Sequence, residues 1–163
     1  MSMIGNLLSI STQQLEDFIQ SPNLLEAYVY GDQKDQQSQT LDLDKTWHSI
    51  HFILNGDAYG GQGPLAMVFF GGKEIGEDLG IGPARYLTAE QVKQVANAVE
   101  QVSDHQFSKQ YDIEALDQAD IYPNMWDEDS EEGLQYILPY FKDLKQFYQE
   151  AALRNQAVLI YIH

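Results

Sequence analysis

The apolar positions along this chain change their spacing several times, and each change marks an element. Over residues 3–10, Ile4, Leu7, Leu8 and Ile10 supply the apolar groups of a first strand. Ser11 followed by Gln14 forms a capping-box pattern; Leu15, Phe18 and Ile19 then recur at helical spacing until Ser21-Pro22 stops the helix. Residues 28–31 read as a short strand, and the polar stretch 32–40, rich in Gln and Asp, as a loop. Asp44 is placed to N-cap a helix that carries Trp47, Ile50, His51 and Leu54 on one face and ends at Gly56. Residues 55–64 read as a glycine-rich loop. The apolar run 65–70 fits either a buried strand or two helical turns opened by Pro64, and residues 71–83 read as an irregular excursion.

A second capping box, Thr88 with Gln91, opens the clearest helix, whose buried stripe is Val92, Val95, Ala96, Val99 and Val102. Short helices are expected over 106–111 and 113–119. A long one is expected over 132–154, with Leu138, Phe141, Leu144, Phe147 and Ala151 facing the core and Pro139 kinking or restarting it. Asn155 is the expected C-cap. Residues 158–162 form a terminal strand, apolar on both faces and so expected inside the sheet. With no internal repeat and no linker, residues 1–163 are read as one α+β domain, a small mixed β-sheet packed against several helices.

Composition narrows the partners. The chain has 25 acidic residues against nine basic ones, a formal net charge of -16. Such a surface repels phosphate, which disfavours nucleic acid, anionic membrane and highly charged nucleotides, and favours a basic protein or a cation. Solubility alone is the plainer account of the same charge. The absence of cysteine excludes disulfides, thiolate catalysis and Cys-ligated metal. Residues 1–10 lack the basic and long apolar stretches of a signal peptide, and the apolar runs 65–70 and 157–162 are too short to span a bilayer. The expected location is the cytoplasm, and no cofactor is expected.

Several residues are candidates for chemistry. Asp44, His48 and His51 have helical spacing that brings side chains together, yet no fourth ligand lies nearby; a cap with two structural histidines is the simpler reading, and no metal site is expected. The glycines of 56–63 lack the Gly-Lys-Ser/Thr ending of a phosphate loop. The acids Asp127, Glu128, Asp129, Glu131 and Glu132 precede a helix and favour its dipole; beside Tyr122 and Trp126 they also make a docking site for a basic partner. Arg85, one of two arginines, stands in Gly82-Pro83-Ala84-Arg85-Tyr86, where a structural pair with a carboxylate is favoured over a grip on an anionic ligand. No Gly-x-Ser-x-Gly elbow or nucleophile–base pair stands out, so no catalytic residue is named.

The runs Trp47-His48-Ser49-Ile50-His51-Phe52-Ile53-Leu54-Asn55-Gly56, Gly82-Pro83-Ala84-Arg85-Tyr86-Leu87-Thr88 and Asp120-Ile121-Tyr122-Pro123-Asn124-Met125-Trp126 resemble the YfbM-like family, a bacterial domain of unknown function. The resemblance extends from Met3-Ile4-Gly5 to the terminal strand. It implies a single cytoplasmic domain containing helices and strands, and brings no activity, cofactor or catalytic residue with it. Two functional readings follow. One is a non-enzymatic interaction domain that binds a basic partner, and in one version neutralises it, through Tyr122, Trp126, Asp127, Glu128 and Asp129. The alternative is a small-molecule enzyme or sensor whose pocket gathers Trp47, His48, His51, Arg85 and Tyr86. Against both stands a purely fold-defining role for the same segments.

Overall fold

Strand β1 (Gly5–Ile10) is buried at all six positions, which an antiparallel strand achieves only when both faces of its sheet are covered. The computed structural model, which describes residues 1–32, 34–124, 126 and 130–163, supplies that cover. β1 lies between β2 (Thr40–Asp42) and β5 (Ala157–Ile162), and β4 (Pro83–Leu87) and β3 (Lys73–Asp78) complete the order β2-β1-β5-β4-β3. The terminal strand is thus the central one. Strand direction was expected to be mixed, but all four pairings among the described residues are antiparallel. β3 and β4 form a hairpin, and β1 and β5 meet from opposite ends of the chain, so no parallel crossover arises.

Alternation along the strands sorts two cores. Leu8, Ile10, Ala84, Ile75 and Leu159 face one side, packed on Leu15 and Phe18 of α1 (Thr12–Gln20) and on Leu25 and Val29 of α2 (Leu25–Tyr30). Leu7, Leu87, Val158 and Ile160 face the other and larger core. That core is built from α3 (Trp47–Asn55), α4 (Met67–Phe70), α5 (Ala89–Glu100), α6 (Asp104–Gln110) and α8 (Ser130–Leu153), while α7 (Ile113–Gln118) buries Leu116 nearby. Each fully buried side chain such as Phe18, Phe107 or Phe141 contributes about 2 kcal/mol of transfer free energy. The molecule is a single α+β domain with helices on both faces of its sheet.

The structure corrects four local expectations. Residues 28–31 are not a strand: Pro22 opens a 3₁₀ turn that leads into α2, and Leu25 and Val29, one turn apart, are what its face buries. Ile19 does not join the α1 core and is 47% exposed, because Leu15 and Phe18 define the buried stripe. Residues 71–83 hold β3 and the turn that leads into β4, one arm of an antiparallel hairpin rather than an irregular excursion. Its charged residues suit an edge strand, and positive φ at Gly72, Gly76, Gly80 and Gly82 breaks the periodic pattern. Asp44 does not cap α3. Thr46 occupies the N-cap, while Asp44 turns through a positive φ of 49° with its amide bonded to Asp42 Oδ1. The run 65–70 resolves to helix, and Pro139 lies within α8 without interrupting it.

Candidate functional site

Helix α3 is seven-ninths buried, so its polar groups must find partners inside the protein. Gly56 ends the helix in the left-handed region (φ 67°), which turns the chain back over α3. Asp57 Oδ1 accepts the amides of Tyr59 and Gly60, tightening that return; these bonds hold its carboxyl below the usual carboxylate range. Asn55 donates to the carbonyls of His51 and Leu65 and so clamps both ends of the loop. The returning loop brings Ala58 and Gly60 carbonyls to the two buried histidines.

His48 Nδ1 lies 2.9 Å from the amide of Tyr122, which can only donate, so Nδ1 is the unprotonated acceptor. Nε2 then carries the proton and donates to Ala58 O at 2.9 Å. His51 Nε2 sits 2.8 Å from Gly60 O and donates likewise. Burial holds both rings below the ordinary histidine pKa, against the partial opposition of these carbonyls and of Asp120 near His48 and Asp57 near His51. Both are neutral at neutral pH, and His48 has both ring nitrogens committed.

Around them lies an aromatic stack. Trp47 is stacked with His48, Phe69 and Tyr122, at centroid distances of 5.2, 5.3 and 5.5 Å. Its Nε1 donates to Met3 O, and Gly5 passes so close that a Cβ there would lie 2.7 Å from the Trp47 side chain. Phe70 meets His48, His51 and Tyr59 edge-on, and Tyr59 lies 4.9 Å from His48 while remaining 66% exposed. Tyr122 Oη accepts the Met3 amide, and the half-buried Trp126 donates Nε1 to Ile121 O. Exposed Asp57 and Asp120 flank this stack.

The sequence candidates therefore divide. Trp47, His48 and His51 come together with Tyr122, because one helix face and the Tyr122 segment meet there. Arg85 and Tyr86 are adjacent on β4, and strand alternation sends them to opposite faces: Arg85 pairs in register with Ile160 and Tyr86 with Leu159. Tyr86 packs in the core on the far side of the sheet from α3. Arg85 bonds Gly72 O and lies 3.6 Å from Glu74, its cross-strand neighbour. Asp44 accepts the Tyr136 hydroxyl and stands apart from the histidines' hydrogen bonds. Among the described residues, no group of three His, Asp or Glu is placed to hold a metal ion. Asp127, Glu128 and Asp129 lie outside the described residues. Tyr59, Phe70, Asn55 and Asp120 belong to the site but carry no local signal; only the turn chemistry of Asn55-Gly56-Asp57 hints that the loop folds back.

Fold and site together define a single-domain α+β protein with an aromatic–histidine cluster held by its own backbone and rimmed by carboxylates. A family model described as Domain of unknown function (DUF1877) matches residues 1–161, and the chain belongs to that family. It is similar to YfbM from Escherichia coli, a protein of unknown function whose crystal structure aligns with a TM-score of 0.76 over 98% of this chain and 99% of that one. At 19% identity, that likeness establishes the fold. No curated protein matches the chain. Among the described residues, no helix is long and apolar enough to cross a membrane.

Proposed function

We propose that the protein is a non-enzymatic interaction domain of the cytoplasm that docks a basic partner protein on the acidic rim of the aromatic stack. The observation that carries this reading is Tyr59, two-thirds exposed at the outer end of a packed ring system, with exposed Asp57 at its own amide and exposed Asp120 near the His48 ring it packs on. A rigid aromatic anchor beside anionic groups matches the side chains that dominate binding energy at interfaces and the charge that selects a cationic surface. Tyr122 and Trp126 lead from this point in sequence to Asp127, Glu128 and Asp129, which extend the acidic character. One form of such a partner is a basic toxin or nuclease whose cationic cleft the acidic surface neutralises.

The test is capture by the tagged protein from its native cells, eluted at low and then high salt and quantified by mass spectrometry. Wild type is compared with a form reversed at Asp57, Asp120, Asp127, Glu128 and Asp129 to lysine. A control form carries Glu16→Lys and Asp17→Lys on α1, across the sheet from α3. A basic protein held by wild type and control, and lost at least about tenfold from the reversed form, supports the reading. Equal retention by all three forms, or capture of no basic protein, overturns it.

A further inference from the structure

Helices α5 and α8 pack against each other, and between them, facing outward, runs a groove of about 480 Å³. Lys93, Ala96, Asn97 and Glu100 line it from α5, and Gln149, Ala152 and Leu153 from α8. Among the described residues, Leu153 at 87% exposed is the most solvent-exposed large apolar side chain after Met1. In a chain of net charge -16, the two charged side chains of this groove are one lysine and one glutamate, so the acidic excess is absent here. A locally neutral, partly apolar groove does not suit the basic partner proposed above. It suits a surface of its own composition.

The spacing makes that specific. Lys93 and Glu100 are two helical turns apart on the same face of α5, and Ala96 and Asn97 lie at their midpoint. When two copies of such a helix pack antiparallel about a two-fold axis through that midpoint, each Lys93 faces the other copy's Glu100, and Asn97 lies beside the axis next to Ala96, which is buried at the floor of the groove. The small Ala96 side chain lets the helix axes approach. We propose that the α5–α8 groove is a self-complementary interface, in which α5 of each copy lies in the groove of the other and Leu153 is buried against it. The interface is isologous, the form that closes a two-fold dimer.

The test is sedimentation velocity on the full chain over a concentration series, with four variants compared to wild type. Lys93, Glu100 and Leu153 are exposed in the single chain, so their substitution leaves folding intact, which thermal unfolding checks. Wild type should sediment as a concentration-dependent dimer. K93E and E100K each turn two attractive contacts into two repulsive ones, and each should weaken the dimer at least about tenfold. Leu153→Glu should weaken it similarly. The double exchange K93E/E100K restores complementarity under the two-fold axis and should recover most of the wild-type affinity. A wild type that stays monomeric throughout overturns the proposal. So does a dimer indifferent to the single variants, or one that the double exchange fails to rescue. None of these outcomes bears on the acidic docking surface, which lies on α3 and its loop.

Discussion

His48 concentrates the logic of this protein in one ring. Its Nδ1 accepts the Tyr122 amide and its Nε2 donates to Ala58 O, so one neutral imidazole ties α3 both to the loop that follows it and to the distant Tyr122 segment. Protonation would set an N–H at Nδ1 against the Tyr122 N–H and break that tie. Burial holds the pKa of His48, and of His51 one turn later, below the ordinary value in the folded state. The unfolded chain therefore binds more protons than the folded one between the lowered folded value and about pH 6.5. The stability conferred by the neutral ring is complete above that window and is lost as pH falls through it. His48→Gln keeps an acceptor and a donor without titrating. Urea unfolding of both forms across the window should show wild type losing more stability on acidification. Parallel losses would place the dependence in other groups.

At the scale of elements, α8 poses the clearest test. Pro139 lies inside a 24-residue helix at an exposed position, where its ring removes one backbone hydrogen bond and crowds the preceding turn. Pro139→Ala should raise the unfolding free energy by about 1–3 kcal/mol, read by chemical denaturation; a loss of stability would mean that the packing of Ile137 and Phe141 relies on the proline. The proline also shows how elements override local signals. The buried side chains Ile137, Phe141, Leu144 and Tyr148 keep the helix whole. α5 had no such conflict: its full capping box and the stripe Val92, Val95, Ala96 and Val99 are where the sequence places them, with Val102 buried just past the helix end at Glu100. α2 and the β3–β4 hairpin are the opposite case, elements without a local signal. α2 has only six residues, and an edge strand with charged side chains and positive-φ glycines carries no alternating pattern.

For the whole molecule, charge is the dominant property. A net charge of -16 on one compact domain imposes self-repulsion that the unfolded chain relieves by expanding. Screening should offset it: raising sodium chloride from about 0.05 to 0.5 M shortens the Debye length from roughly 14 to 4 Å and should raise the Tm by several degrees. A flat or falling Tm would show that ion pairs such as Arg85–Glu74 and Asp104 with Lys142 and Lys145 outweigh the repulsion. The same repulsion explains why the proposed two-fold contact belongs at the α5–α8 groove, where Lys93 balances Glu100.

The sequence by itself determined what short-range physics encodes: the strands at both ends, the capped helices α1 and α5, the left-handed ends at Gly56 and Asn155, the net acidic charge, and the segments that mark the family. Each rests on periodicity, a cap or a composition, which neighbouring residues carry without help. Tertiary structure alone decided which polar groups meet. Asp44 reads as a cap until Tyr136, 92 residues away, supplies its partner; His48 reads as a candidate lining a small-molecule pocket until the Tyr122 amide occupies its Nδ1. Arg85 and Tyr86 look like neighbours in one pocket until the pleat sends them to opposite faces. Buried hydrogen-bonding groups must be satisfied, and in a domain of this topology their partners come from distant parts of the chain.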